Sequence, residues 1–249
     1  MRFVLKLAFN GSAYHGWQRQ KNAHSVQEEI EKALEVILGE SAGITGCGRT
    51  DTGVHAMTYY AHFDRETAPE PRLVYQLNAI LPRDIALHFC REVSEDFHAR
   101  FSAISREYRY FIHTHKNPFL QDRSWFIHHT PGLELMNKAC DILKQYEDFA
   151  SFCKKGADNK TTLCRIDDCH WAMEGDQWVF TIRADRFLRN MVRAIVGTLV
   201  DVGLEKLSLQ EFARIVEARN RNLSGESVPA CGLYLWDVRY PDTLLPPIG

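Results

Sequence analysis

Hydrophobic and polar positions alternate at the start of the chain and then change to a helical spacing. Apolar residues at every second position from Phe3 to Phe9 fall on one face, which predicts a half-buried strand. Ser25 and Glu28 then have the spacing of a capping box, and the apolar stripe after them ends at Gly39. The first two predicted elements are therefore a strand and an amphipathic helix.

The first half of the chain continues with three more strands and a second helix. A short strand leads into a glycine-rich loop, and residues 54–63 form the next strand. A helix at residues 71–79 and a strand at residues 85–90 follow. The resulting order, β-α-β-β-α-β, is the ferredoxin-like or RRM-like arrangement.

The second half repeats this order with one added helix. Its predicted strands are residues 106–113, 166–173, 178–184 and 233–240, and its predicted helices are residues 133–143, 187–202 and 208–218. We therefore predict an α+β protein with domains 1–104 and 105–249, joined by a hinge at residues 97–102. We expect the two halves to form a continuous, mainly antiparallel sheet with a central cleft, where ligand sites are common.

The composition is that of a soluble globular protein and argues against a membrane protein, a disulfide-rich protein and a zinc protein. Of the 249 residues, 45% are hydrophobic and 25% are charged. No apolar run reaches the length of a membrane span, about 20 residues. Seven cysteines without framework spacing indicate free thiols in a reducing cytoplasm, and Cys164, Cys169 and His170 fit no common zinc pattern. With a net charge of −2, a polyanionic partner must bind a local basic patch.

Residues 46–56, GCGRTDTGVHA, concentrate candidate chemistry between two apolar runs. The glycines let another molecule approach the main chain, and Arg49 lies two residues before Asp51. An Arg so near a carboxylate favours the ionised form of that carboxylate. One interpretation is an Asx-type turn closed by an ion pair. The other is a rigidly held, charged carboxylate that acts as a nucleophile.

Three arginines lie on, or directly before, the helix predicted at residues 187–202. Arg186, Arg189 and Arg193 are spaced by three and four residues, which predicts that they share one helix face. Such a face can bind the phosphates of a substrate, and Arg193 can turn inward to pair with a carboxylate. A solvated rim on an amphipathic helix explains the same pattern.

Several other residues allow either a packing role or a role in RNA binding. Tyr14 and Trp17 alternate with polar residues, as in loops that stack on nucleobases, although rings that pin a loop to the core give the same pattern. Tyr108 on its strand can stack on a base and transfer a proton, or simply pack. Leu233 can line a base pocket or lie in the core. The lysine-rich loop at residues 152–165 can contact phosphate or form a solvated face.

Seven strings along the chain carry a family resemblance. They are FNGSAYHGWQRQ, GRTDTGVHA, LPRDI, DFHARFSA, REYRYFI, DRFLRNMVR and CGLYLWDV. In this order they resemble the TruA-type tRNA pseudouridine synthases, and the likeness runs from about Phe3 to Tyr240. The resemblance implies two halves around a cleft and isomerisation of uridine to pseudouridine at positions 38, 39 and 40 of the tRNA anticodon arm. It also implies tRNA as the partner, a cytoplasmic homodimer, no membrane, and no metal or organic cofactor.

The resemblance also implies roles for individual residues. Asp51 matches the catalytic carboxylate of the family. Arg49 matches the arginine that helps to flip the base and occupies its place, and Tyr108 matches the active-site tyrosine. Arg193 matches the basic partner of the aspartate, and Leu233 matches the pocket leucine.

The chain departs from the family pattern at a few positions, and alternatives stay open. FNG replaces YDG at residues 9–11, Thr52 replaces Ala, and Arg189 replaces a frequent His, which makes the RNA-facing surface more basic. The alternatives are a pseudouridine synthase for another RNA, a non-catalytic RNA-binding protein, and an aspartyl phosphatase, for which the loop lacks further acidic residues. The sequence does not decide whether Asp51 attacks the sugar, attacks the uracil or assists elimination to a glycal.

Overall fold

The N-terminal alternation forms strand β1 (Arg2–Phe9), which lies between two antiparallel neighbours. These neighbours are β3 (His55–Asp64) and β4 (Ile85–Val93). The short strand β2 (Thr45–Gly46) also pairs with β3, and β9 (Leu233–Arg239) runs parallel to β3. The strand order here is β4-β1-β3-β9.

The structure, a computed structural model, describes residues 1–156 and 160–246. The described residues form two compact units, the first with residues 1–105 and 234–246, the second with residues 106–156 and 160–233. Strand β9 is thus part of the first unit, although the chain reaches it last. His55 opposite Tyr234 and Ala56 opposite Leu235 make this parallel pairing.

Helix α1 (Val26–Leu38) begins after Ser25 and ends at Gly39 as predicted, but the predicted capping box is only half formed. The Ser25 hydroxyl accepts the Glu28 N–H at 3.3 Å, while the Glu28 carboxylate pairs with Lys32 at 3.0 Å. Gly39 ends the helix with a φ of +73°, a backbone angle that glycine adopts without steric cost. Local signals therefore set both ends of this helix.

Helix α2 (Leu73–Ile80) packs against α1 and β4. Together these helices and strands enclose a core of large side chains that are almost fully buried, including Leu5, Leu7, Trp17, Ile30, Leu34, Tyr59, Phe63 and Leu77. Val4, on the opposite face of β1, is buried as well.

The second unit contains β5 (Ser105–His113), β7 (Ile166–Glu174) and β8 (Gln177–Ala184). These strands are antiparallel in the order β5-β8-β7. The short strand β6 (Trp125–Phe126) runs parallel to β5.

Helix α3 (Leu133–Leu143) packs against β7, α4 (Met191–Gly203) and α5 (Leu209–Glu217). Helix α5 begins at a complete capping box of Ser208 and Glu211, as predicted. The predicted α+β class with mainly antiparallel strands is confirmed. The central cleft stays a prediction. Within the described ranges, no helix has the length and apolar character needed to span a bilayer.

A buried histidine makes the stability of the first unit depend on pH. His62 is 6% exposed on β3, and its Nδ1 accepts the Ala99 N–H at 3.2 Å. Burial, together with the positive charges of Arg2 and His98, lowers the pKa of His62 from 6.5 to about 4. The unfolded chain therefore binds more protons than the folded one between these two pH values, and stability is lost as the pH falls through that window.

We expect His62 to account for a loss of about 2 kcal/mol in the free energy of unfolding between pH 7.5 and pH 5. Urea unfolding at both pH values measures this loss. His62→Gln should show a smaller loss than the unmodified chain, whatever its absolute stability. The exposed His129→Gln serves as the control and should keep the full dependence. Equal losses in all three proteins would contradict the assignment to His62.

Candidate active site

Asp51 lies between β2 and β3, in the segment of residues 46–56, and an earlier segment of the chain contacts it on both sides of the aspartate. On one side the Thr50 hydroxyl accepts the Trp17 N–H at 3.0 Å. On the other side the Gly53 N–H donates to the Tyr14 carbonyl at 3.2 Å. We call residues 46–56 the Asp51 loop. Its main chain is fixed immediately before and after the aspartate.

Two glycines of the earlier segment allow this close contact. Gly16 has a φ of +88°, and a Cβ there would lie 2.2 Å from the Thr50 carbonyl oxygen. At Gly11 a Cβ would lie 2.0 Å from the Val54 carbonyl oxygen. Since neither position has room for a side chain, the Asp51 loop rests directly on the main chain of residues 11–16.

The rings of Tyr14 and Trp17 pack inside the protein beneath this loop. They are 2% and 1% exposed, so the packing interpretation is confirmed and stacking on a nucleobase is wrong for both. Trp17 stacks on Tyr59 with ring centroids 4.0 Å apart, and the Tyr59 hydroxyl donates to the Gly48 carbonyl. The Tyr14 hydroxyl donates to Asp84 at 2.6 Å, and burial raises the pKa of Tyr14. These aromatic residues position the loop.

The Asp51 loop presents its two charged residues differently. Asp51 is half-buried, whereas Arg49 is exposed. The Val54 N–H donates to the Asp51 carbonyl at 3.2 Å and closes a turn at the aspartate. A partly shielded carboxylate on a fixed backbone is suited to covalent or acid–base chemistry, since its position is set before a substrate arrives.

Tyr108 lies on β5 in the second unit, opposite Ile182 of β8. Its ring is half-buried and meets Phe187 edge to face, with centroids 4.9 Å apart and planes at 81°. This contact packs the ring on Phe187, as the packing role requires. The base-stacking role of Tyr108 stays a prediction.

Arg193 lies in the first turn of α4, and residues 228–233 run beside it. The Arg193 Nε donates to the Val228 carbonyl at 2.7 Å, and the Val228 N–H donates back to the Arg193 carbonyl at 3.3 Å. The Tyr110 hydroxyl donates to the Pro229 carbonyl at 2.8 Å. Leu233, 6% exposed, ends this segment. These hydrogen bonds fix the Arg193 side chain at Nε. They also hold Val228 and Pro229, from which the chain continues to Leu233.

The prediction that Arg186, Arg189 and Arg193 share a helix face is wrong. Helix α4 begins at Met191 instead of residue 187, so Arg186 and Arg189 precede it. Asn190 has a φ of +65°, which breaks the helical backbone, and the Asp185 carboxylate accepts the Arg186 N–H at 2.7 Å. Arg186 is half-buried and Arg189 is exposed.

The lysine-rich loop begins next to Arg189. The Lys154 N–H donates to the Arg189 carbonyl at 3.0 Å. Residues 157–159 of this loop lie outside the described residues. The contact places one lysine of the loop beside the arginine segment that precedes α4.

Arg221 is a supporting residue that the sequence did not indicate. Its Nη1 donates to the Ser224 hydroxyl at 2.9 Å and to the Gly225 carbonyl at 3.1 Å, and its Nη2 donates to the Ser227 hydroxyl at 2.9 Å. It therefore shapes the residues just before Val228, which holds Arg193. A single arginine in a polar loop gives no local signal for such a role.

The zinc candidates of the sequence lie in different surroundings. Cys169 is buried against Cys140, which together with burial raises the pKa of its thiol, while the exposed His170 contacts Asp168 at 3.1 Å. Among residues 1–156 and 160–246, no three His, Cys, Asp or Glu side chains are grouped as a metal site requires.

Comparisons with known proteins identify the family of the chain. A family model described as tRNA pseudouridine synthase matches residues 7–102 and 145–241, more than half of the chain. Three proteins called tRNA pseudouridine synthase A are similar over nearly their whole length. That of Parabacteroides distasonis is 47% identical and that of Porphyromonas gingivalis 46%, each over 98% of both chains. That of Acetivibrio thermocellus is 40% identical over 95% of this chain and 98% of its own.

The family match and the named relatives identify an isomerase that acts on RNA. The chain belongs to the tRNA pseudouridine synthase family. The matched ranges include Arg49, Asp51, Arg193 and Leu233, whereas Tyr108 falls between them.

Proposed function

We propose that this chain isomerises uridine to pseudouridine at positions 38, 39 and 40 of the tRNA anticodon stem-loop. The observation that carries the proposal is Asp51, a half-buried carboxylate on a fixed loop inside the region that the family model matches. Pseudouridine synthase action on another RNA and RNA binding without catalysis are the alternatives.

The reaction needs a well-placed carboxylate and a shielded pocket. The glycosidic bond between the sugar C1′ and uracil N1 breaks, the uracil turns, and C5 joins the same sugar carbon. C5 loses a proton and N1 takes one up, so the product is an isomer of the substrate and the reaction needs no oxidant, reductant or transferred group. The base must first leave the stack, which costs a few kcal/mol that phosphate contacts elsewhere can offset.

Each site residue has a role in this proposal. Arg193 pairs with Asp51 and keeps it ionised where an unpaired carboxylate tends to protonate. Tyr108 stacks under the flipped uracil and removes the C5 proton. Arg49 helps to flip the base and fills its place, and Leu233 lines the base pocket.

Arg186 and Arg189 bind phosphates of the tRNA in this proposal. They do so from the segment before α4, where Arg189 directly precedes Asn190 and its carbonyl accepts the Lys154 N–H. Their role does not require a shared helix face, because an RNA backbone presents phosphates along an extended surface.

The resemblance alone supports the remaining assignments. We infer a homodimer that acts in the cytoplasm and requires neither metal nor organic cofactor. Light scattering tests the dimer, which a mass of 28.7 kDa would contradict, and cell fractionation tests the location.

Mapping of pseudouridine in tRNA from cells with and without the gene tests the reaction and its positions. We expect pseudouridine to disappear from positions 38, 39 and 40 and to return when the purified chain acts on that tRNA in vitro. Loss at other positions, or in another RNA, would point to the first alternative. Tight tRNA binding without any new pseudouridine would point to the second.

A further inference from the structure

A cavity of about 140 Å³ lies beside the Asp51 loop, within the first unit. Its lining includes two guanidinium side chains, Arg49 and Arg100, together with Gln18, Thr45 and the main chain at Gly48. No Asp or Glu is among the described residues that line it. Both charged side chains of the lining are therefore cationic. The Glu31 carboxylate contacts the lining residue Gln27 at 2.9 Å and pairs with Arg19 at 3.0 Å.

A tight turn fixes the backbone that carries Arg100. The His98 Nδ1 accepts the N–H groups of Arg100 and Phe101 at 3.1 and 3.2 Å. The Ser102 hydroxyl accepts the His98 N–H at 2.9 Å, and the Ser102 N–H donates to the His98 carbonyl at 2.9 Å. Residues 98–102, which the sequence indicated as part of a hinge, are thus tied together within the first unit.

The first unit also holds this turn through its buried residue Ala99. Ala99 is fully buried; its N–H donates to His62, and its carbonyl accepts the Tyr240 hydroxyl at 2.6 Å. The Arg100 guanidinium lies 5.4 Å from the centre of the exposed Phe101 ring, close enough for a cation–π contact. The buried Ala99 and the Phe101 ring both restrict Arg100 before a ligand arrives, which lowers the entropy lost on binding.

We propose that Arg100, beside Arg49, forms a subsite for a backbone phosphate of the RNA next to the Asp51 loop. The inference rests on the proposed function, which makes tRNA the substrate. Guanidinium groups bind phosphate oxygens with two parallel hydrogen bonds, and a lining without carboxylates does not oppose an anion. A phosphate held here fixes the strand close to Asp51, so that the flipped nucleoside has a defined starting position.

Arg100→Ala tests the subsite by its effect on tRNA binding at several salt concentrations. Binding is measured in the Asp51→Asn background, so that no substrate is consumed. Removal of one phosphate contact should reduce the slope of log K against log salt by about 0.7 to 0.9. The same variant should raise the Kd for tRNA several-fold at low salt. Arg100→Lys should keep the slope, because it keeps the charge.

Arg72→Ala is the matched control, since Arg72 is an exposed arginine of the same unit and does not line the cavity. It should leave slope and Kd unchanged. In the chain that keeps Asp51, Arg100→Ala should raise KM for tRNA and leave kcat nearly unchanged. A salt slope equal to that of the control, or a fall in kcat without a rise in KM, would overturn the subsite. Pseudouridine mapping with unmodified chain tests the proposed function separately, because its outcome does not depend on Arg100.

Discussion

Replacing Asp51 by Asn is expected to lower kcat/KM for pseudouridine formation by at least about 10⁴-fold, the scale on which loss of an essential catalytic group acts. The amide has nearly the shape of the carboxylate, so the contacts around the loop should persist. It carries no charge, however, and it is a poor nucleophile and a poor base. The Kd for tRNA should therefore change by less than about threefold.

Single-turnover assays with excess enzyme measure this effect without interference from product release. Asp96→Asn makes the same chemical change at an exposed position of the first unit and should keep full activity. Residual activity of Asp51→Asn above about 1% of the unmodified rate would exclude Asp51 as the essential carboxylate. Loss of tRNA binding in parallel with activity would instead indicate that Asp51 has a structural role.

Much of the fold was predictable because its signals are local. The alternation of β1, the cap at Ser25 and the αL end at Gly39 each depend on residues close in sequence. The hydrogen bonds at the two ends of α1 form within one helical turn. The alternation of β1 marks its buried face without naming the distant strands that pair with it. Such signals need no knowledge of distant contacts.

The start of α4 was mispredicted because apolar periodicity continues through a backbone break. Phe187 and Met191 keep helical spacing with the residues that follow, yet Asn190 adopts a positive φ. Asn is one of the few residues that accept this conformation. Its presence at position 190 was therefore a usable signal, and the Asp185 side chain, which accepts the Arg186 N–H, was another.

The sequence predicted which residues of the site carry chemistry, but it did not predict the contacts that hold them in place. The chemistry of Asp51, Tyr108 and Arg193 follows from their side chains and motifs. The contact of Gly16 with Thr50 joins residues 34 positions apart, and no local spacing encodes it. The same limit applies to Arg100, whose neighbour in the cavity, Arg49, is about fifty residues away.

Gly16→Ala is expected to destabilise the chain by about 3 kcal/mol and to lower kcat/KM by at least about 10²-fold. Two costs add at this position. The φ of +88° disfavours any L side chain, and a Cβ would lie 2.2 Å from the Thr50 carbonyl oxygen. Because Thr50 adjoins Asp51, relief of this clash must move the main chain that positions the carboxylate.

Gly39→Ala separates these two costs. Gly39 also has a positive φ, +73°, but no atom lies within 4 Å of the position of a Cβ there. The Gly39→Ala variant should lose about 1 kcal/mol in the free energy of unfolding, measured with urea, because only the conformational cost applies there. It should keep nearly full activity. If Gly16→Ala lost no more stability and no more activity than Gly39→Ala, the Asp51 loop would not depend on its contact with Gly16. A large loss in Gly16→Ala alone assigns the effect to the packing of the loop on that glycine.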